Sequence, residues 1–385
     1  MMASNASTVL VVGSGIIGLQ TATSLLRRGH KVTLRSSNSP LSPSSTSPGA
    51  GGLWMPFHCD DQRLLKWSSH QLNEYLETYN LIEIGSSKSY VEIVTAVLPF
   101  NVSSDVTQMQ VDSDTGTYTP LPQERPQWAL HPHLNFQSLS MPQLKWQSSV
   151  TGVHVPDSFL DTYSDAHTFE APIVNCPEIL RSHQRFVSRH AEDVSFNVEY
   201  RSVEEIHADA SAISADFVVN CTGSASASLL SDSSIKTGRG CLKYFRRPDS
   251  FKTCLLADAP PIGSDDRPVY AIPRGDVVAV GGFYLEDDYE PELRPEENEV
   301  LDHNASLLLP GHANSPWEEV GTWVGFRPTR VSGVKLGVNT ALEGAGGGAR
   351  WIDNYGHGGS GWTVASGCAQ DVCDIVDYLH GGEQR

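Results

Sequence analysis

The first forty residues constrain this chain more than any other segment. Thr8–Val12 is a short apolar run of mainly β-branched residues, and it leads directly into Gly13-Ser14-Gly15-Ile16-Ile17-Gly18. A stretch with Ile17, Thr21, Leu25 and Leu26 at helical spacing follows, stopping near Arg27-Arg28-Gly29, and Lys31–Arg35 reads as a second strand. A strand that enters a helix through three such glycines turns tightly and brings bare backbone against a pyrophosphate. It also packs the helix close to the strand, while the helix start offers unpaired N–H donors. The opening unit therefore predicts a Rossmann-like, dinucleotide-binding α/β domain.

The rest of the chain alternates between helical and extended patterns. Helices are expected at Leu64–Tyr79, Pro177–Ala191, Val300–Leu309 and Trp362–Leu379. Strands are expected at Val194–Tyr200, Asp216–Asn220, Val269–Pro273, Val277–Gly282 and Trp351–Asp353, and over Trp323–Val338 with an interruption at Pro328. Proline-punctuated runs before residue 150 read as antiparallel strands. At 385 residues the chain is too long for one simple module and too short for three domains. Nucleotide-binding signatures at both ends imply a discontinuous dinucleotide domain, residues 1–60, 150–235 and 320–385. An inserted α+β substrate domain on a mostly antiparallel sheet would take 61–149 and 236–319.

Charge narrows the ligand class. Asp and Glu number 45 against 27 Lys and Arg, a net charge of -18, which disfavours nucleic acid and anionic membrane as partners. No run of about 18 apolar residues is present to span a bilayer, and Met1–Ser7 is unlike a signal peptide. The seven cysteines are scattered without CxxC or Cys/His metal spacing, so they read as mostly reduced thiols of an intracellular protein with no metal site. A small-molecule site is the remaining expectation.

Four places carry candidate chemistry. The acidic residue that usually ends the second strand and holds a ribose is replaced by Leu34-Arg35-Ser36-Ser37-Asn38, so Ser37 and Asn38 take its place against ribose or adenine. Ser36–Gly52 is rich in Ser, Pro and Gly. Composition alone makes it a linker, whereas its position after the second strand lets Ser44, Ser45, Ala50, Gly51, Gly52 and Leu53 lie along phosphate and ribityl groups. Proline is expected to end the strand right after Arg327, leaving that guanidinium either facing a cavity or in a surface ion pair. In Asn354–Trp362 the glycines at 356, 358, 359 and 361 allow a flat ring to lie on bare backbone before the last helix begins.

Taken together, residues 12–18, Ala50–Trp54, Gly325–Arg330 and Asn354–Gly359 resemble, in order and across nearly the whole chain, the FAD-dependent D-amino acid oxidases. Val269–Arg274 and Gly281–Tyr284 are similar to the fungal branch. The resemblance implies FAD as cofactor, held by Gly13, Ser14, Gly15, Ile17, Gly18, Ser37, Asn38, Ser44, Ser45, Ala50–Leu53, Arg201, Gly223, Gly358, Gly361, Trp362 and Thr363. It implies that Arg327 pairs with a substrate carboxylate, that Tyr270 and Tyr284 touch it, and that Gly359 lies beside the substrate. An arginine fork suits a carboxylate because two parallel charge-assisted bonds fix its orientation.

The implied reaction passes hydride from Cα to flavin N5. An imino acid results, hydrolysing to a 2-oxo acid and ammonia, and dioxygen reoxidises the flavin to give hydrogen peroxide. No side chain is expected as acid or base: His357 reads as structural or flavin-adjacent, and the Gly361–Thr363 helix start would stabilise charge near flavin N1. Neutral D-amino acids are the expected substrates. A D-aspartate oxidase stays open because Arg267 and Arg274 leave room for an acidic side chain. A nicotinamide-dependent dehydrogenase and a dinucleotide-binding protein without turnover stay open as different classes. The resemblance implies a peroxisomal location, but Gly382-Glu383-Gln384-Arg385 is not a serine-lysine-leucine ending, so a cytosolic location stays open, and so does a homodimer.

Overall fold

The computed structural model describes residues 6–56, 61–83, 90–101, 109–111, 118–120, 126–257, 261–263, 267–342 and 348–382. Cys59 and the Glu383–Arg385 ending lie outside the described residues.

The opening strand takes the centre of a six-stranded sheet. Its order is Lys335–Val338, Arg350–Tyr355, Phe217–Asn220, Thr8–Val12, Lys31–Ser36, Asp193–Phe196. All neighbours are parallel except the outer pair, Lys335–Val338 with Arg350–Tyr355. A parallel sheet must be covered on both faces, and the side chains of Thr8–Val12 show it. Val9 and Val11 enter one core with Ile16, Leu19 and Leu25. Leu10 and Val12 point the other way, into a core with Ile206, Ala210 and Trp351.

The first helix, Ile16–Arg27, is buried more widely than its apolar stripe suggested. Gln20, Thr21, Ala22 and Thr23 are all inside, because the Cys176–His190 and Gly361–Gly382 helices pack against it. The helix expected at 64–79 runs over Leu64–Glu83 and also packs on Gly361–Gly382.

The second sheet has nine strands and is mostly antiparallel. Its order is Leu285–Glu286, Ile235–Arg246, Val277–Gly281, Val269–Arg274, Thr253–Ala257, Val91–Phe100, Asp165–Val174, Gln137–Ser140, with Glu319–Arg330 on the free side of Ile235–Arg246. Only Thr253–Ala257 and Val91–Phe100 run parallel. Asp165–Val174 and Glu319–Arg330 therefore belong to this sheet, although both fall within spans expected for the dinucleotide domain. Pro328 does not stop its strand as expected: pairing with Ile235–Arg246 continues through Thr237↔Pro328 to Ile235↔Arg330. Proline is tolerated there because the strand is at the edge of its sheet, its far side meeting only an isolated bridge, Thr329↔His357.

Ile235–Arg246 is anchored from behind by a buried charge. Between Gly238 and Gly240, Arg239 is fully buried and grips Glu297 of the Pro295–Leu308 helix through Nη1–Oε1 at 2.5 Å and Nη2–Oε2 at 3.0 Å. Its remaining donors reach the carbonyls of Glu290 and Glu292, both at 2.6 Å. Removing one partner of a buried pair leaves the other uncompensated, so Glu297→Ala is expected to lower the unfolding free energy by about 3–5 kcal/mol. Thermal denaturation of the two proteins measures it, and an unchanged midpoint would refute the assignment.

Candidate active site

The glycine turn is built as backbone chemistry requires. Gly13 has φ 118°, and a Cβ there would sit 2.3 Å from the Cys221 carbonyl oxygen at the end of the neighbouring strand. A Cβ on Gly18 would lie 2.0 Å from the Gly13 carbonyl oxygen, so its absence is what lets the helix pack onto the turn. Gly15 caps the helix with no side-chain hydrogen bond, and no acid occupies the first turn, so the positive end of the helix stays open to an anion. Ile16 N–H donates to Ser47 Oγ at 3.0 Å, which draws the Ser/Pro/Gly segment against this end.

That segment is not a loose linker. Thr46 Oγ1 donates to the Phe326 carbonyl at 2.9 Å, and Tyr244 Oη donates to the Gly49 carbonyl at 2.7 Å. Gly52, at φ 81°, accepts from Val174 N at 2.8 Å. Arg274 donates to the carbonyls of Pro48 and Ala50 and lies 5.0 Å over the Tyr244 ring. The expectation that Arg274 leaves room for an acidic substrate is thus overturned, because its guanidinium is buried and committed to the loop. Arg267 is exposed and does not line the cavity.

All of this encloses one cavity of about 750 Å³ between the two sheets. Of the residues picked from sequence, Gly13, Ser14, Gly15, Ile17, Ser37, Asn38, Ser44, Ser45, Ala50–Leu53, Arg201, Gly223, Tyr270, Tyr284, Arg327, Gly358, Gly359, Gly361 and Trp362 line it. Gly18 and Thr363 stand behind the wall. Gly18 packs helix on turn, and Thr363 Oγ1 donates to the Met55 carbonyl at 3.0 Å.

The wall also contains residues the sequence reading passed over. Thr46 and Ser47 belong to a run already suspected, whereas Tyr200, Glu199, Leu242 and Trp323 carry no local signal. Arg35, in the place of the missing ribose acid, turns away to Asp193 and Asp209. Glu199 is the one carboxylate among the described residues lining the cavity, and Arg201 and Arg327 are the arginines.

At one end of the cavity three side chains converge. Arg327 projects from the Glu319–Arg330 strand, with Nη1 donating a long 3.4 Å bond to the Phe283 carbonyl and Cζ 5.7 Å over the Tyr284 ring. The Tyr284 hydroxyl is 2.8 Å from Thr329 Oγ1. Tyr270, opposite Gly281, has its phenol pushed up by burial, an effect the nearby Arg327 partly opposes. Other arginines on the same sheet are committed elsewhere: Arg239 to Glu297, Arg246 to Asp276 and Arg330 to Asp232, and Arg274 to the loop carbonyls. Among the described residues no carboxylate pairs with Arg327. A site that keeps a bare guanidinium beside two phenols is complementary to an external carboxylate.

His357 faces the same cavity from the glycine-rich turn. It is 3% exposed, its Nε2 has no hydrogen-bond partner, and burial pulls its pKa down to about 3. The folded chain thus holds a neutral imidazole that the unfolded chain protonates near pH 6.5. Below that value the unfolded state binds the extra proton, and stability falls with pH. Between pH 7 and 5 this one group is expected to remove about 2 kcal/mol of stability. His357→Gln should flatten the pH dependence of urea unfolding by that amount; an unchanged slope would contradict it.

The family model described as FAD dependent oxidoreductase (DAO) matches residues 8–89 and 156–375. The chain belongs to this family. Its FAD therefore has a place that the geometry already provides: a bare-backbone turn at an open helix end, a hydroxyl-rich segment and a glycine floor before the last helix. The DAO-family relatives include a D-amino-acid oxidase of Dictyostelium discoideum, 26% identical with 96% of this chain and 91% of that protein aligned. A D-amino-acid oxidase of Streptomyces coelicolor is 27% identical, with 96% of each chain aligned. Among solved structures, glycine oxidase from Geobacillus kaustophilus has the same fold, with a TM-score of 0.70 over 97% of this chain and 95% of that one at 17% identity. The fold and cofactor expected from the motifs hold. Among the described residues no helix is long and apolar enough to cross a membrane, and no cluster of potential metal ligands is present. The six described cysteines are free thiols, all buried.

Proposed function

We propose that this DAO-family enzyme oxidises neutral D-amino acids to 2-oxo acids, with release of ammonia and hydrogen peroxide. The observation that carries the reading is the Arg327 guanidinium, which faces the cavity without a carboxylate partner among the described residues and is flanked by Tyr270 and Tyr284. Relatives named D-amino-acid oxidase, aligned over nearly the whole chain, support it.

Bound FAD supplies the two-electron acceptor, and dioxygen its reoxidation. The chain's own residues bind and orient. Arg327 clamps the carboxylate by two parallel bonds, and the Tyr270 and Tyr284 phenols bound the space beside it. Gly358, Gly359 and Gly361 keep this face free of side chains where the cofactor ring would be held, and the start of the Gly361–Gly382 helix would offer it a positive end. His357 stays neutral and contributes no mobile proton at working pH. The six-stranded sheet carries the dinucleotide turn, and the nine-stranded sheet carries both Arg327 and Tyr270, so Arg327 stands on the substrate side although 320–385 is expected from sequence to belong to the dinucleotide domain.

The choice of neutral over acidic side chains rests on the lining around this end. Leu242, Leu256, Ala257, Val269 and Trp323 are apolar, and the other arginine of the described lining, Arg201, follows Asp193–Phe196 at the edge of the six-stranded sheet. Peroxide production across D- and L-amino acids tests both points. D-Ala, D-Met and D-Phe are expected to exceed D-Asp in kcat/KM, with L-enantiomers inactive. Higher activity on D-Asp would reverse the side-chain assignment, and activity only on L-amino acids would refute the reading.

A further inference from the structure

Three glycines on two strands of the nine-stranded sheet lie directly beneath the three side chains that converge at the end of the cavity. A Cβ on Gly240 would be 2.2 Å from Arg327 Nη1, 2.6 Å from Nη2 and 2.7 Å from Cζ, so the Nη edge of the guanidinium comes against the bare Gly240 backbone. A Cβ on Gly281 would be 2.1 Å from Tyr270 Cζ and 2.3 Å from its hydroxyl. One on Gly238 would be 2.6 Å from the Tyr284 ring. None of the three has positive φ, so the backbone itself does not demand glycine there. A glycine inside a strand costs conformational entropy and weakens packing, which leaves close approach of another group as its physical reason.

The pairing shows how the contacts arise. Gly238 is opposite Arg327 and Gly240 opposite Gly325, so the arginine leans diagonally across the ladder to lie on Gly240. Tyr270 faces Gly281 directly and folds over it. Arg239, between the first two glycines, points to the other face of the sheet and is held there by Glu297. That anchor leaves the Gly238–Gly240 backbone little freedom to retreat from the cavity.

We propose that Gly240, with Gly281 and Gly238, forms a bare floor that positions Arg327, Tyr270 and Tyr284 for the substrate carboxylate. The floor deepens the reading above and rests on it. A methyl at Gly240 displaces the guanidinium by more than an ångström from the place where it meets the carboxylate. Gly240 is a positioning residue acting through Arg327, so its effect must vanish when the guanidinium is gone.

A double-mutant cycle on the FAD-loaded enzyme tests this, using benzoate, a carboxylate with no amine to oxidise. Its dissociation constant is read from the change in flavin absorbance in wild type, Gly240→Ala, Arg327→Ala and the double variant. Gly240→Ala is expected to weaken benzoate about tenfold or more and to raise KM for D-alanine more than it lowers kcat. On the Arg327→Ala background the same methyl is expected to change benzoate binding less than about twofold. An equal loss on both backgrounds, or none on either, overturns the floor while leaving the role of Arg327 intact. If Arg327→Ala alone leaves benzoate binding unchanged, the reading of the site fails and the floor with it. Should Gly240→Ala purify without flavin, the parallel cycle of Gly281→Ala with Tyr270→Ala decides by the same criterion.

Discussion

Arg327→Ala is expected to lower kcat/KM for D-alanine by about 10²–10³-fold, mostly through KM, while the protein keeps its full complement of FAD. Two hydrogen bonds to a charged group contribute about 1.5–3 kcal/mol each, and every 1.4 kcal/mol is a factor of ten. The guanidinium is half-buried, which keeps the figure below the sum for a fully desolvated pair. FAD is retained because the contacts of Arg327 lie on the substrate side: the Phe283 carbonyl, the Tyr284 ring, the Tyr270 phenol and the Gly240 backbone. Arg327→Lys should fall between wild type and alanine, since a point charge replaces a planar fork. Initial rates of peroxide formation, with flavin absorbance per chain measured alongside, check both variants. Wild-type kinetics in Arg327→Ala would remove the carboxylate site.

The second large effect is expected at Gly13. In Gly13→Ala the new Cβ meets two backbone atoms, the Cys221 oxygen at 2.3 Å and carbon at 2.8 Å, at a residue whose φ is 118°. Neither neighbour is a side chain that can swing aside, and the Cys221 N–H is itself bonded to the Val12 carbonyl at 2.8 Å. Backbone strain of about 1–3 kcal/mol adds to an overpacking cost of similar size. The variant is expected to purify without flavin absorbance and to melt well below wild type. Gly223 is the matching control. It also lines the cavity and has φ 61°, but a Cβ there meets nothing nearer than Pro328 at 3.9 Å. Gly223→Asn, a residue that tolerates the left-handed region, should keep FAD. Loss of flavin in Gly223→Asn but not in Gly13→Ala would invert the account of the turn.

Local pattern carried far in this chain where the chemistry is local. The strand–glycine–helix start, the glycine-rich turn before the last helix and the suspicion of Ser44–Leu53 all concern contiguous residues whose backbone meets the cofactor. Misreadings arose where a neighbouring element decides. Pro328 reads as a strand end because proline lacks an N–H, but at the edge of a sheet, with only the isolated Thr329↔His357 bridge beyond, pairing on the inner side continues. Arg274 looked available for a ligand until the Pro48 and Ala50 carbonyls were seen to occupy it. The Gly238-Arg239-Gly240 triplet was legible as glycine in a strand, yet what approaches those glycines comes from residues 284 and 327.

By itself the sequence determined the α/β class and the dinucleotide turn at Gly13–Gly18, because glycine spacing is a backbone property, readable without knowing the neighbours. FAD and the interest of Arg327 came from the resemblance of residues 12–18, 50–54, 325–330 and 354–359 to a known family. Only the tertiary structure decided that Arg327 faces the cavity without a carboxylate partner among the described residues, which carbonyls Arg274 takes, and that three bare Cα atoms lie against Arg327, Tyr270 and Tyr284. Those facts depend on register between strands about 40 to 90 residues apart in the chain, as in Gly238↔Arg327 and Leu242↔Gly281, and a one-residue slip in that register turns every side chain to the other face.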